Sequence, residues 1–266
     1  MKLYPVIAGL LLVHVSSPDS RSRRCELTLE HWRVIWTGTH YSGLRQRPWY
    51  KPKLHMATTL FRPVGLHELA LIWDKGMRGF PQRLPHQPIF YPVANTTYAR
   101  QIARDWNSPD EKSGFAGFVT AFEVDGGYLS NFEPHTVGSS EHVEYWIPAD
   151  NLSSFNGAIY GLIRLEIGFF CAPFAGHVPD AFGLKGKNAI AQFVALHKSW
   201  KYSTFDVACE VSANRKTVFL NWLFWSQHDF SNFGINQEQR EMLLGHLKQC
   251  WEFNHIEVPL PQTISR

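Results

Sequence analysis

The chain has 266 residues, with 26 Lys and Arg residues against 23 Asp and Glu residues, so its formal net charge is +3. Hydrophobic residues make up 44% of the chain and aromatic residues 14%, a content that excludes a globally disordered protein. The length suits one large domain or two small ones.

The positive charge is confined to the first part of the chain. Residues 1–55 hold nine basic and three acidic side chains, a net charge of +6, whereas the other 211 residues hold 17 basic and 20 acidic ones, a net charge of −3. Proteins that bind nucleic acids through phosphate contacts carry a basic surface. Because the bulk of this chain is mildly acidic, we expect no nucleic-acid partner.

The first 55 residues allow three interpretations. Residues 6–13 are an apolar run too short to span a bilayer, which needs about 20 apolar residues, but long enough for the apolar part of a secretory signal. Either Met56 is the true start, or residues 1–17 are a signal followed by a basic linker, or the segment is an ordered arm. We expect residues 1–55 to be a disordered or non-native extension. The protein would be cytoplasmic if it starts at Met56, and secreted or periplasmic if the signal is used.

The cysteines and histidines form no metal-binding pattern. The four cysteines are far apart, with no C-x-x-C pair, at Cys25, Cys171, Cys209 and Cys250. They predict neither a zinc site nor a disulfide scaffold, and we expect free, buried thiols. The 13 histidines lack the spacing of zinc motifs. We therefore expect no metal ion, and no apolar run predicts a membrane span.

From Met56 onward the predicted elements begin as alternating strands and helices. In chain order they are a strand at 58–64, a helix at 66–75, a strand at 89–93, a helix at 96–106, and strands at 118–124, 141–147 and 159–170. Asn95 is the expected cap of the second helix, and the alternation at 118–124 predicts a strand with one buried face. Residues 56–170 are therefore predicted to form an α+β domain with its own core.

The last part of the chain has a different composition. Residues 171–187 are rich in Gly, Pro and Ala and predict a linker, and residues 188–266 predict a mostly helical module. Its expected helices are at 188–200, 213–228 and 237–254, the last with Asn236 as N-cap. The middle helix is apolar on nearly every side, which predicts a buried position in a small bundle or against the first domain.

Three polar side chains of the α+β domain do not have the pattern of core packing. Arg62 lies within the first strand, Tyr91 ends the second, and Glu144 lies in a late strand. An arginine on a strand commonly faces solvent, and a strand-end tyrosine commonly packs with its hydroxyl in water. The face that carries Glu144 also carries His142 and Trp146, which suits neither a core nor a solvent-facing surface.

The order of these residues resembles the ADP-ribosyltransferase fold that bacterial ADP-ribosylating toxins share with poly(ADP-ribose) polymerases. Leu60-Phe61-Arg62 is similar to the aromatic-Arg motif of the toxins. Residues 87–91 (Gln-Pro-Ile-Phe-Tyr) with 94–99 are similar to the Gly-Ile-Tyr-Phe strand of the polymerases and the helix behind it. Residues 144–148 are similar to the toxin run of a catalytic Glu, three apolar residues and Pro. The resemblance covers residues 58–170, and these runs also resemble a compact bacterial family with no assigned activity.

This resemblance implies a split β-sheet domain, which would precede the helical module predicted above, and a mono-ADP-ribosyltransferase with NAD as its substrate. Arg62 would hold a pyrophosphate oxygen or the adenosine ribose, Tyr91 would stack on the nicotinamide ring, and Glu144 would stabilise the oxocarbenium-like sugar. The expected catalytic residues are Glu144, Tyr91 and His142. The expected nucleotide-binding residues are Arg62, Phe61, Tyr91, Phe90 and Arg78.

Departures from the resemblance keep a second function open. Members that modify arginine carry Glu or Gln two residues before the catalytic Glu, where this chain has His142, so the acceptor is not predicted to be a protein arginine. The Ser-Thr-Ser run of the toxins is replaced by Phe90-Tyr91-Pro92. The alternative is a catalytically inactive module of the same fold that binds a nucleotide or a protein partner.

Overall fold

The structure is a mixed α+β fold whose longest strands form one antiparallel sheet. The computed structural model describes residues 56–254 and 256–262, which belong to one compact unit. In this part of the chain the strands are β1 (Ala57–Gly65), β2 (Ile89–Phe90), β3 (Ala116–Asp125), β4 (Pro134–Thr136), β5 (Val143–Tyr145), β6 (Ile147–Pro148) and β7 (Ile159–Phe170). The predicted α+β class is confirmed.

The three long strands pair in the order β1-β3-β7, while β2 pairs with β6 and β4 with β5. Val93 connects these parts, because it forms backbone bridges to Phe61 of β1 and to Glu144 of β5. The order across the molecule is therefore β4, β5, Val93, β1, β3, β7. The strand predicted at 89–93 is interrupted, since Pro92 has no N–H to donate to a continuous ladder.

The prediction that the strand at 118–124 has one buried face is wrong, because β3 is buried on both faces. Phe118 and Phe122 belong to the main hydrophobic core on one face. Val119 points to the other face, where it packs in a smaller cluster with Ala103. A strand between two neighbours and between two packed layers leaves no face for water, so its polar Thr120 is also buried.

Five of the eight helices that the structure describes follow the predicted pattern. The eight are α1 (Leu66–Asp74), α2 (Thr96–Ile102), α3 (Gly126–Leu129), α4 (Leu152–Gly157), α5 (Ala189–Trp200), α6 (Thr204–Ala213), α7 (Arg215–Gln227) and α8 (Gln237–Phe253). The short helices α3 and α4 and the helix α6 are additions. Asn95 and Asn236 cap α2 and α8 as expected. Helix α6 was not predicted, because Val207 and Val211 alone form its buried stripe.

The helix predicted at 96–106 changes type before its end. It is α-helical to Ile102, and Ala103–Asn107 then forms a π-helical turn that lies directly on β3. A Cβ placed on Gly117 of β3 would stand 1.7 Å from the carbonyl oxygen of Ala103. The turn can therefore occupy this position only because residue 117 is glycine.

We expect Gly117→Ala to lower the free energy of unfolding by about 1–3 kcal/mol, the usual cost of forcing extra volume into a packed site. Gly245→Ala is the matched control, because a Cβ at Gly245 of α8 meets open space and alanine favours a helix by about 1 kcal/mol over glycine. Urea unfolding of the two variants measures the difference. Equal stability of both variants would contradict the close packing of the turn on β3.

The sheet and the helices that follow it share one hydrophobic core. The ring of Trp73 in α1 packs against that of Phe219 in α7, with centroids 4.8 Å apart, and Phe170 of β7 packs against Phe224 of α7 at 5.3 Å. The predicted burial of α7 is confirmed, since its residues from Thr217 to Trp225 are all buried. The predicted helical module therefore packs directly on the sheet.

The segment predicted as a linker, residues 171–187, is anchored to these helices by a buried amide network. The side chain of Asn221 accepts from the backbone N–H of His177 at 2.8 Å and donates to the carbonyl of His177 at 3.0 Å. It also donates to Oε1 of Gln192 at 2.8 Å. Asn221 and Gln192 are fully buried, so these bonds satisfy groups that water cannot reach.

The thiols differ from expectation in their exposure. Cys171, Cys209 and Cys250 are all free, as predicted, but Cys250 alone is buried, Cys171 is half-buried and Cys209 is exposed on α6. The expectation of buried thiols is thus wrong for Cys209. Cys25 and the N-terminal segment 1–55 lie outside the described residues, so the three interpretations of that segment stay predictions.

We expect the free energy of unfolding to fall as the pH falls below about 6.5, the ordinary histidine value. Burial lowers the pKa of His177, His197 and His228 in the fold. The unfolded chain therefore binds more protons in that window, and folding loses stability there. Urea unfolding between pH 7.5 and 5.5 measures the effect, and His177→Gln should reduce it. Stability that is constant over this range would contradict the expectation.

Candidate functional site

A cleft of about 340 Å³ lies where the end of β1 meets α1, the segment after β2, the π-helical turn and β5. It brings together Arg62, Tyr91 and Glu144, which are far apart in the sequence. Volume does not distinguish this cleft, because another one beside α4 is larger, at about 440 Å³. Its side-chain chemistry does, since it combines a guanidinium, a phenol and a carboxylate.

The strand order explains why these three residues meet. Val93 pairs with Phe61 on one side and with Glu144 on the other. Arg62 follows Phe61 directly, and Tyr91 precedes Val93 by two residues. The backbone at Arg62 is held further by Thr120, whose hydroxyl donates to the carbonyl of Arg62 at 2.9 Å.

Glu144 is oriented by two neutral donors. The hydroxyl of Tyr98 in α2 donates to Oε1 at 2.7 Å, and the indole Nε1 of Trp146 donates to Oε2 at 3.1 Å. Burial and the bond to Glu144 raise the pKa of Tyr98 to about 12, so Tyr98 remains a donor at neutral pH. No ion pair of Glu144 occurs among the described residues, so its negative charge is available to a ligand.

Aromatic rings pack against the two residues that donate to the Glu144 carboxylate. The ring of His142 stacks on Tyr98 at 4.1 Å, and that of His135 stacks on Trp146 at 4.2 Å. Trp146 also meets Tyr91 edge-on, with centroids 6.1 Å apart. His142 supports Tyr98 and does not line the cleft, so the structure places this expected catalytic residue behind the site.

Arg62 is held by contacts on several sides. Its Nη1 donates to the carbonyl of Tyr91 at 3.0 Å, its Nη2 lies 3.3 Å from Oε2 of Glu68, and its Cζ is 5.0 Å from the ring centroid of Phe90. The side chain of Arg83 lies 3.8 Å from the same Glu68. Burial and the neighbouring charge of Arg62 lower the pKa of Arg83. Two guanidiniums share one carboxylate here, which leaves net positive charge beside the cleft.

The other expected nucleotide-binding residues lie outside the cleft. Phe90 is fully buried in the main core, where it supports Arg62 from behind. Phe61 is half-buried and packs in the cluster that contains Val93. Arg78 is exposed and pairs with Glu257 near the end of the chain.

Two residues of the site were missed as functional positions. Tyr98 and Trp106 were predicted only as parts of the helix at 96–106. Helical spacing places Tyr98 on the buried face of α2 with Ala99, but it does not indicate the contact with Glu144. No local pattern indicated Trp106, since its position depends on the π-helical turn.

Comparison of the chain with protein-family models, with curated proteins and with solved structures finds no match. Across residues 56–254 and 256–262, no helix is long and apolar enough to cross a membrane. The same residues contain no group of three or more His, Cys, Asp or Glu side chains that could hold a metal ion.

We expect Tyr98 to stay protonated at pH 11 in the native protein and to ionise at lower pH in Glu144→Gln. The variant loses the carboxylate that accepts the phenol proton, while burial still holds the pKa above its ordinary value. Tyrosine labelled with ¹³C at Cζ reports the ionisation by NMR. Glu141→Gln, three residues away and exposed, should behave like the native protein. Identical titrations of Tyr98 in the native protein and in Glu144→Gln would refute the hydrogen bond.

Proposed function

We propose that the protein is an NAD-dependent mono-ADP-ribosyltransferase with an ADP-ribosyltransferase-like split sheet. The observation that carries the proposal is the convergence of Arg62, Tyr91 and Glu144 on one cleft. The fold part of the proposal is supported by the order of strands, in which Val93 joins the short β4-β5 pair to the β1-β3-β7 sheet.

The proposed reaction breaks the bond between C1′ of the ribose and the nicotinamide nitrogen. Nicotinamide leaves with the bonding electrons as a neutral molecule, and positive charge develops on the sugar. The Glu144 carboxylate, already oriented by Tyr98 and Trp146, would stabilise that charge without having to reorganise. A nucleophile of the acceptor then bonds to C1′ and releases its proton to solvent.

The rest of the cleft suits the other parts of NAD. Tyr91 is one-third exposed and could stack on the nicotinamide ring. The pyrophosphate carries two negative charges, which complement the pair of guanidiniums that share Glu68. Arg83 does not line the cleft, so Arg62 is the guanidinium that would contact the pyrophosphate.

A catalytically inactive module that binds a nucleotide or a protein partner is the alternative. The observation that favours it is the engagement of Arg62, which is already bonded to Glu68 and to the carbonyl of Tyr91. A ligand phosphate would have to compete with Glu68 for this guanidinium. The acceptor is also open, because His142 stacks on Tyr98 instead of facing the cleft.

We expect Glu144→Gln to slow nicotinamide release from NAD at least about 100-fold, the usual effect of removing one preorganised charge stabiliser, while NAD still binds. Glu141→Gln is the control and should keep native activity, because Glu141 does not line the cleft. Chromatography measures nicotinamide, calorimetry measures binding, and circular dichroism checks the fold.

The same assays on the native protein distinguish the transferase from the inactive module. Binding of NAD without nicotinamide release supports the inactive module. Release that is unchanged in Glu144→Gln would overturn the proposed role of Glu144 and, with it, the transferase assignment.

A further inference from the structure

Trp106 is unlike the other tryptophans that the structure describes. Six of these seven indoles either contact another ring or donate a hydrogen bond: Trp73, Trp146, Trp200, Trp222, Trp225 and Trp251. Trp106 does neither within the described residues, and it is 58% exposed. It nevertheless lines the cleft with Arg62 and Glu144, so a large apolar ring is left open to whatever enters there.

The π-helical turn holds this indole in place. The turn closes through a bond from the N–H of Ser108 to the carbonyl of Ala103 at 3.0 Å, and the hydroxyl of Ser108 donates to the carbonyl of Arg104 at 2.7 Å. Gly117 allows the turn to rest on β3. π-Helical turns are rare and frequently occur at functional sites, and this one directs Trp106 and Asn107 to the cleft.

Asn107 adds hydrogen-bonding groups beside the ring. Its backbone carbonyl accepts from the N–H of Asp110, but its side-chain amide has no hydrogen-bond partner among the described residues, although the residue is half-buried. An amide presents one acceptor and two donors in a plane, and this arrangement pairs in bidentate fashion with N6 and N7 of adenine. An open indole next to an open amide suits a purine ring.

We propose that Trp106 and Asn107 form an adenine-binding subsite, in which the indole stacks on the base and the amide pairs with its N6 and N7. The inference deepens the proposed function and rests on it, because it assigns the two ends of NAD to different parts of one cleft. Trp106 lines the same cleft as Tyr91 but contacts no other ring among the described residues, so its indole is a second stacking surface. A dinucleotide with two rings can use both surfaces.

Calorimetry with AMP and with nicotinamide mononucleotide tests this assignment on the full chain. Trp106→Ala should weaken AMP binding about tenfold or more, the usual effect of removing a base-stacking ring, and should leave nicotinamide mononucleotide unaffected. Trp106→Phe should restore much of the affinity, since a smaller ring still stacks. Tyr202→Ala is the control, because Tyr202 is 91% exposed and lies outside the cleft.

A second variant tests base recognition. The native protein should bind AMP about tenfold more tightly than inosine monophosphate, which lacks the N6 amino group. Asn107→Leu should abolish this preference, and circular dichroism checks that the fold is intact. A preference that persists in Asn107→Leu, or a Trp106→Ala variant that binds AMP normally, would overturn the subsite. Loss of nicotinamide mononucleotide binding in Trp106→Ala, with AMP binding intact, would equally overturn it.

Failure of the adenine subsite and failure of the proposed transferase activity give different results. If the native protein binds AMP through Trp106 and Asn107 but releases no nicotinamide from NAD, the subsite stands and the transferase activity does not. If the native protein releases nicotinamide and Trp106→Ala retains the native affinity for NAD, the activity stands and the subsite does not.

Discussion

The backbone bridges of Val93 are the constraint on which the candidate site depends. Val93 is buried and exchanges two backbone hydrogen bonds with Phe61, at 2.8 and 2.9 Å, while its other side bridges to Glu144. One residue thus sets the spacing between the strand that carries Arg62 and the strand that carries Glu144. Buried backbone groups must find partners, so the chain cannot leave this position without losing bonds on both sides.

Two charged groups of the cleft, Glu144 and Arg62, have different kinds of partner. Glu144 is bonded by the neutral Tyr98 and Trp146, which orient the carboxylate, and it forms no ion pair with the residues that the structure describes. Arg62 is instead paired with Glu68, which also attracts Arg83. A ligand with an anionic centre and a developing cation would complement both arrangements, and the proposed dinucleotide substrate has both features.

Much of the fold could be predicted because its signals are local. Helical periodicity and capping residues such as Asn95 and Asn236 located most helices, and the β-prone runs located the long strands. Helix α6 was missed because its buried face consists of only two residues. The π-helical turn was missed because its cause, the absence of a side chain at Gly117, lies on a strand that is distant in the sequence.

The sequence by itself determined the α+β class and singled out Arg62 and Glu144, because an arginine in an apolar strand and a glutamate on a strand face with His142 and Trp146 depart from the patterns of core and surface. Only the tertiary structure decided which of the candidate residues lie together. It brought Arg62, Tyr91 and Glu144 to one cleft and placed Arg78 elsewhere. Strand pairing through Val93 joins residues that are far apart in the sequence. The backbone hydrogen bonds that form this pairing are the same for every amino acid except proline, so no residue pattern specifies them.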